Sequence, residues 1–589
     1  MKDFFKFMFA SMLGFFLTML ILLFLLIGFI MAVVSLTKPE EVVLKQPSVL
    51  HLKLNYEIKD RTSSDPFAVF QDFSSLKPNP GLREILDILE KAKEDDHIRG
   101  IYLELFDIPS GMAVLAELRN ALEDFKASGK FIYSYGSMCS QRAYYLASVS
   151  DQVYMNPEGF LELRGLRSEI VFISGLLKKL GIEPQIMRHG KFKSATEPLF
   201  LEKMSDENRL QTLEYIQSMW EGISDEITTS RNIDAVEFQL ITDQLLSQSL
   251  EKAYSLNLID SLIYMDQFLS ILAGELGVEN VLEEHLISLS KYDRAKITKP
   301  SGKRSRNQIA IIYAEGDIVQ GEGSVNMIGG DKIARTIRNA RLDEAIKAVV
   351  LRVNSPGGDG IASDVILREI ALTRKEKPVV VSMGNLAASG GYYIACGADK
   401  ILAQPSTITG SIGVFGLVPN FQEFFNDKLG ITFDGVGTNE NSDFVSITKP
   451  LPDYQRETIQ TIIDRFYDTF IAHVATGRDM TVEEVDEIAQ GRVWTGEDAL
   501  RIGLVDQLGG LKDAIEIAAD LAGLDDYRTV DLPRQKEPLQ QLMESLMGDT
   551  QAKWLQRELG EHYNLFRYVK SVSEWQGIQA RLPYEIRID

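Results

Sequence analysis

Residues 382–393 read Ser-Met-Gly-Asn-Leu-Ala-Ala-Ser-Gly-Gly-Tyr-Tyr, and residues 134–145 read Ser-Tyr-Gly-Ser-Met-Cys-Ser-Gln-Arg-Ala-Tyr-Tyr. The offset of 248 that joins them recurs along the chain: Ile98 falls on Ile346, Leu103 on Leu351, Asp151 on Asp399, Pro157 on Pro405 and Gly165 on Gly413. The chain is therefore an internal duplication, and its differences are as informative as its matches. The second copy carries Ser-Pro-Gly-Gly (Ser355–Gly358) and Ala-Ala-Ser-Gly-Gly (Ala387–Gly391), where the first has Asp-Ile-Pro-Ser and Cys-Ser-Gln-Arg-Ala. Conversely, the first copy has Lys193 in Lys-Ser-Ala-Thr-Glu-Pro, and the corresponding stretch Asn441–Val445 holds no lysine. A duplication that loses opposite halves of a site predicts one active centre built between the copies.

Short apolar runs alternate with helical patterns in both halves. Val49–Leu54, Ile98–Leu105 and Phe131–Tyr135 read as strands, with helices over Leu82–Ala92 and Ala113–Ala127 between them. The second copy repeats the order: strands at Ile309–Ala314, Ala348–Val353 and Val379–Ser382, helices at Gly330–Ala340 and Ala362–Arg374. Such alternation predicts an α/β fold of parallel β–α–β units with right-handed crossovers. Long helices follow at Glu202–Ser230 and Asp453–Thr476, with Arg231-Asn232 and Arg478-Asp479, then Leu258-Ile259-Asp260 and Leu504-Val505-Asp506, at matching places. The expected organisation is an anchor over 1–38, a first copy over 39–297, a linker over 298–307, a second copy over 308–535 and an amphipathic helical tail over 536–589.

The 589 residues are too many for one core, and 45% hydrophobic with 25% charged residues is a globular composition. A formal net charge of −22 argues against nucleic acid as a partner, since phosphate binding needs a basic face. Cys139 and Cys396 are too few for a disulfide framework and read as small core residues. Met8–Val34 is nearly continuous apolar sequence, ample for a bilayer core of about 30 Å that takes roughly 20 helical residues. Lys2 and Lys6 precede it, which places the N-terminus in the cytoplasm and the rest of the chain across the membrane. A cleaved signal sequence is the competing assignment and gives the same destination.

Ser389 lies between a strand and a helix beginning near Gly390, where free backbone N–H groups and the positive end of the helix dipole gather. The N–H of Gly390 is placed to meet a developing oxyanion, and Ser355–Gly358 offers further N–H groups at the end of a neighbouring strand. The alternative is an N-cap serine with packing glycines. A nucleophilic serine needs a base. Of six histidines only His189, four residues before Lys193, is tempting, and no other residue supports a Ser-His-Asp set. A lysine serves if burial lowers its pKa, and Lys193 has apolar neighbours in Phe192, Ala195, Pro198, Leu199 and Phe200. Otherwise it is a surface lysine, as Lys191 is taken to be.

The stretches Ser355–Gly358, Ala387–Tyr393, Pro405–Gly413 and Gly491–Gly496 together resemble the signal peptide peptidase A family, in its long, duplicated protease IV form of bacterial inner membranes. The likeness spans roughly residues 45–530. It implies two tandem Clp/crotonase-like domains and a Ser/Lys dyad with Ser389 as nucleophile and Lys193 as general base. It implies that Ser411 orients Lys193, that Gly357, Gly358 and Gly390 supply the oxyanion hole, and that no metal or other cofactor is needed. It further implies a membrane-anchored endopeptidase on the periplasmic side of the inner membrane, a homotetramer, whose substrates are cleaved signal peptides and other apolar peptides. The competing functions are a crotonase-type acyl-CoA enzyme, which uses similar paired N–H donors, and a non-catalytic membrane scaffold.

Overall fold

Each copy condenses around a sheet of parallel strands, because each strand is apolar on both faces and must be covered by helices on each side. The computed structural model describes residues 2–36, 44, 46–62, 79–295, 305–324, 326–535 and 578–581. In the first copy the strands Gln152–Leu161, Phe131–Cys139, Ile98–Glu104 and Ser48–Lys53 lie side by side in that order, all parallel, with Ser261–Leu262 and Leu286–Ser288 at the edges. In the second, Lys400–Ala403, Val379–Ala388, Ile346–Ser355 and Gln308–Glu315 repeat this order. Arg528–Leu532 closes one edge, and Val493–Thr495 joins antiparallel to Ile408–Gly410. The expected strands and helices stand within a few residues of these bounds, except that Val379–Ala388 runs six residues beyond Ser382.

The matched sequence signs are matched contacts. Asn232 and Asp479 adopt left-handed conformations that terminate the helices Asp206–Arg231 and Asp453–Arg478. The arginine before each cap reaches the aspartate of the Leu-x-Asp sign, Arg231 to Asp260 at 3.0 Å and Arg478 to Asp506 at 2.8 Å. Tyr144 and Tyr392 donate to the Leu258 and Leu504 carbonyls at 2.7 and 2.8 Å. Cys139 and Cys396 are buried free thiols.

A third sheet belongs to neither copy alone. Its order is Met327–Gly329, Asp317–Val319, Gly357–Asp359, Ile578–Arg581, Val414–Asn420 and Glu183–His189. The last two strands pair antiparallel over seven residues, from Val414 opposite His189 to Asn420 opposite Glu183, so the first copy does not close on itself. The expected helical tail is corrected where it can be seen: Ile578–Arg581 is a strand, paired on both sides. The rest of that tail, and residues 298–304 of the expected linker, lie outside the described residues.

Residues Lys2–Leu36 form one helix of 35 residues, and side chains such as Phe7, Leu13 and Phe15 stand exposed on it. Among the described residues no helix is long and apolar enough to cross a membrane; the side chains of this helix after Gly28 lie outside that set.

The two copies are also joined by buried charge. Arg352, fully buried, meets Asp60 at 2.8 Å and Glu117 at 2.6 Å, both from the first copy and both buried. Glu117 also accepts from the Leu511 N–H at 2.7 Å. Removing the guanidinium leaves two carboxylates in a dry interior, which typically costs about 3–5 kcal/mol. Arg352→Met is therefore expected to lower the urea midpoint strongly, and adding Asp60→Asn and Glu117→Gln should recover part of the loss. A triple variant no more stable than the single one would show that shape, not charge, sets the cost.

Candidate active site

The seven-residue pairing of Glu183–His189 with Val414–Asn420 ends where Lys193 begins its approach to the second copy. Gly190, at φ +99°, turns the chain, and the Lys193 N–H donates back to the Gly190 carbonyl at 3.3 Å. Phe192 N–H donates to the Gln490 carbonyl at 2.9 Å, fixing the loop against the second copy. Gly491 sits directly on this turn: a Cβ there would lie 2.6 Å from the Lys193 Cβ, and its φ is +80°. This explains the glycine of the Gly491–Gly496 motif. Gln211, buried, ties the same loop down, donating to the Phe192 carbonyl (3.1 Å) and Ser194 Oγ (3.0 Å) while accepting from the Val493 N–H (3.2 Å).

Ser389 occupies the junction of the strand Val379–Ala388 and the helix Gly390–Ala395. Its backbone is at φ 55°, ψ −114°, a conformation costly for a residue with a side chain. The turn is held by its N–H on the Gly410 carbonyl and its carbonyl on the Tyr393 N–H, each at 2.8 Å. Ser411, also at positive φ (48°), is pinned by its N–H to the Arg492 carbonyl.

These pieces converge. Lys193 Nζ lies within hydrogen-bond distance of Ser389 Oγ (2.7 Å), Ser411 Oγ (3.1 Å) and the Ser411 carbonyl (3.2 Å). Ser389 Oγ in turn faces the Gly413 carbonyl at 3.4 Å. Lys193 is 1% exposed, and burial holds its amine well below the ordinary lysine range. A neutral amine beside a hydroxyl can take its proton, and a hydroxyl on a strained turn is presented for attack. Ser389 is fully buried.

The three glycines do not share one role. Gly357 N–H donates to Ser355 Oγ at 3.1 Å, a bond with which any oxyanion would have to compete. Gly358 and Gly390 remain as neighbours across the turn: a Cβ on Gly390 would lie 3.1 Å from the Gly358 nitrogen. His189 is engaged elsewhere, with Nδ1 on Asp464 at 2.8 Å and its ring stacked on Tyr467. Lys191 is exposed, as expected.

In the first copy Gln141 stands where the second has Ser389. Its side chain accepts from the Arg164 and Gly165 N–H groups at 3.0 Å and donates to the Gly165 carbonyl at 3.2 Å. It thus closes on the residue equivalent to Gly413, beside a cavity of about 370 Å³. The position equivalent to Ser389 is filled there by an amide.

The family model for Peptidase family S49 matches residues 124–279 and 371–525, one segment in each copy. The chain belongs to peptidase family S49. Protease 4 of Salmonella typhi is 38% identical over 480 residues, 80% of this chain and 77% of its own length. Protease 4 of Haemophilus influenzae is 36% identical over 74% of this chain and 72% of its own. The chloroplastic serine protease SPPA of Arabidopsis thaliana is 33% identical over 91% and 78%. This S49 chain is a serine protease, with the tandem α/β copies that the two family segments mark, and the acyl-CoA and scaffold alternatives lose their support.

The buried amine has a measurable consequence. An unfolded lysine is protonated up to about pH 10.4, whereas the folded state must strip or bury that charge. The unfolded state then binds more protons, and stability rises with pH. Lys193→Met is expected to raise the melting temperature at pH 7, with the gain shrinking as pH approaches the ordinary lysine value. A variant less stable than the parent at pH 7 would mean that the lost hydrogen bonds outweigh desolvation.

Proposed function

We propose that this serine protease is a membrane-anchored endopeptidase using a Ser389/Lys193 dyad to degrade cleaved signal peptides at the bacterial inner membrane. The observation that carries the dyad is the 2.7 Å contact between a buried lysine amine and a serine hydroxyl supplied by different copies. Ser389 Oγ attacks the scissile carbonyl as neutral Lys193 accepts its proton, and the resulting ammonium returns a proton to the leaving amine. Ser411 holds Nζ in line through its hydroxyl and carbonyl. The oxyanion is received by the N–H groups of Gly358 and Gly390.

The apolar run Met8–Val34 and the exposed apolar side chains of the helix Lys2–Leu36 support the anchor, with the catalytic copies on the periplasmic side. An anchored site would meet apolar peptides where membrane insertion leaves them. Protease relatives support peptide substrates in general, and the choice of signal peptides rests on the family resemblance.

The homotetramer draws support from an unmatched edge. The segment equivalent to Glu183–His189 in the second copy falls within 431–437 and has no cross-copy strand to join. It exposes Ile431, Phe433 and Val436, and Val171 is exposed in the region of the first copy equivalent to Val414–Asn420. Repeating the cross-copy pairing from one protomer to the next joins subunits head to tail, which closes as a four-membered ring where each step turns by a quarter of a circle. Phe433→Asp with Val436→Asp should reduce the particle mass seen by light scattering, and an unchanged mass would remove this segment from the interface.

The dyad is tested by loss and by non-additivity. Ser389→Ala and Lys193→Ala should each lower peptide hydrolysis by at least about a thousandfold, and the double variant should be no worse. Fluorophosphonate should label the parent and not Ser389→Ala. Activity should fall as pH drops through the depressed lysine pKa and the amine protonates. Lys193→Arg should be inactive, because guanidinium does not give up a proton near neutrality. An active arginine variant would reopen the search for the base at His189.

A further inference from the structure

Lys193 is carried by a loop, and that loop is tied to one buried carboxylate. Glu197, in the same Lys-Ser-Ala-Thr-Glu-Pro stretch, is fully buried. Its Oε2 accepts from the Ser205 N–H at 3.2 Å and from Asn208 Nδ2 at 2.9 Å, and its Oε1 accepts from Ser205 Oγ at 2.6 Å. Arg188 Nη1 lies 3.9 Å from the same Oε1 and donates to the Lys193 carbonyl at 3.2 Å.

An ionised carboxylate only accepts, so it fixes the sense of every hydrogen bond that follows from it. Asn208, also fully buried, must turn Nδ2 toward Glu197, which leaves its Oδ1 for Gln211 Nε2 at 3.3 Å. With its amide nitrogen so directed, Gln211 donates to the Phe192 carbonyl and to Ser194 Oγ, on either side of Lys193. Its Oε1 is left for the Val493 N–H, and the preceding residue, Arg492, is the one whose carbonyl holds the Ser411 N–H. One directed chain thus runs from Glu197 to the lysine loop and to the backbone that holds Ser411.

The second copy has lost the whole chain together with the lysine. Thr196-Glu197-Pro198-Leu199 recurs there as Thr448-Lys449-Pro450-Leu451, which sets Val445 in the place of Lys193 and Lys449 in the place of Glu197. The helices Asp206–Arg231 and Asp453–Arg478, of 26 residues each, match without a gap and set Pro452 on Ser205, Gln455 on Asn208 and Thr458 on Gln211. By contrast, the ion pairs at the far ends of these helices, Arg231 with Asp260 and Arg478 with Asp506, are kept in both copies, as packing contacts would be. We propose that Glu197, acting through Asn208 and Gln211, is a positioning residue that holds the Lys193 amine in line with Ser389. The inference rests on the Ser389/Lys193 reading and adds to it the support that keeps the base in place.

The test combines kcat and KM on fluorescein-labelled casein with the pH dependence of fluorophosphonate labelling, at a temperature where circular dichroism shows each full-length variant folded. Glu197→Leu and Gln211→Met should each lower kcat about a hundredfold, as displacement of a catalytic group by about 1 Å does, with KM within about threefold of the parent. The acid limb of labelling should move to higher pH, because burial holds the amine down and an amine let toward water regains its proton. Glu197→Gln keeps an acceptor for Asn208 and should retain most of kcat; a glutamine variant as slow as the leucine one overturns the acceptor role. Arg231→Met should lose stability while kcat and the acid limb stay in place, and in a Lys193→Ala background Glu197→Leu should lower stability but activity no further. If Glu197→Leu does not fold, Gln211→Met decides by the same readouts. An unmoved kcat and acid limb in Gln211→Met overturn the proposal and leave the dyad standing. Equal losses in Arg231→Met, or a further fall in the Lys193→Ala background, assign the network to general packing and overturn it too. A Lys193→Ala variant as active as the parent overturns the dyad and the proposal with it.

Discussion

The pairing of Glu183–His189 with Val414–Asn420 is the contact on which the chemistry depends. It carries the first copy's chain across to the second and fixes the direction from which Lys193 arrives. Strand register is quantised: a slip of one residue would turn every side chain to the opposite face. The seven paired residues therefore do for the amine what a short catalytic loop does in a one-domain enzyme. Gly190 supplies the turn after the strand, and the turn at Gln490–Gly491 closes on Lys193 from the other side, so the side chain enters the site between two fixed backbones.

The asymmetry of the copies follows from what each must bury. The second copy must accommodate a buried amine whose pKa burial lowers, and the residues facing Nζ are two hydroxyls and a carbonyl, none of which would hold it charged as strongly as a carboxylate. In the first copy the same location is filled by the Gln141 amide, satisfied on both its oxygen and its nitrogen, and nothing needs to be deprotonated there. The fully buried ion pairs between the copies are those of Arg352 with Asp60 and Glu117.

Much of this was legible in the residues because the duplication supplied its own comparison. Ser389 stood out because Gln141 had replaced its counterpart, and Lys193 because Asn441–Val445 lacks a lysine; the fold brings the two to hydrogen-bond distance. The parallel strands were readable from local apolar runs. The cross-copy strand was not, for Glu183–His189 buries Gln185 and Met187 among polar residues, and its partner lies far along the chain. Gln211 was missed for the same reason, and Gly491 was quoted only as part of a motif, without a role: their contacts with the lysine loop are set by tertiary packing, with no local periodicity to announce them. The tail read as an amphipathic helix because four residues of strand, paired only at long range, leave no pattern of their own. Nor does a motif say which N–H groups its own serine will claim, as Ser355 claims that of Gly357.

The division of the site between copies also orders events in time. Lys193 and Ser389 are 196 residues apart along the chain, so a ribosome makes the lysine well before it reaches the serine. On the proposed dyad, until Val414–Asn420 has been made and has docked on Glu183–His189, the growing polypeptide holds a lysine with no serine to deprotonate. A protease whose two reactive groups sat in one unit would be armed as soon as that unit folded. Here the nascent chain stays harmless to itself and to its neighbours until synthesis is well past the second copy's sheet.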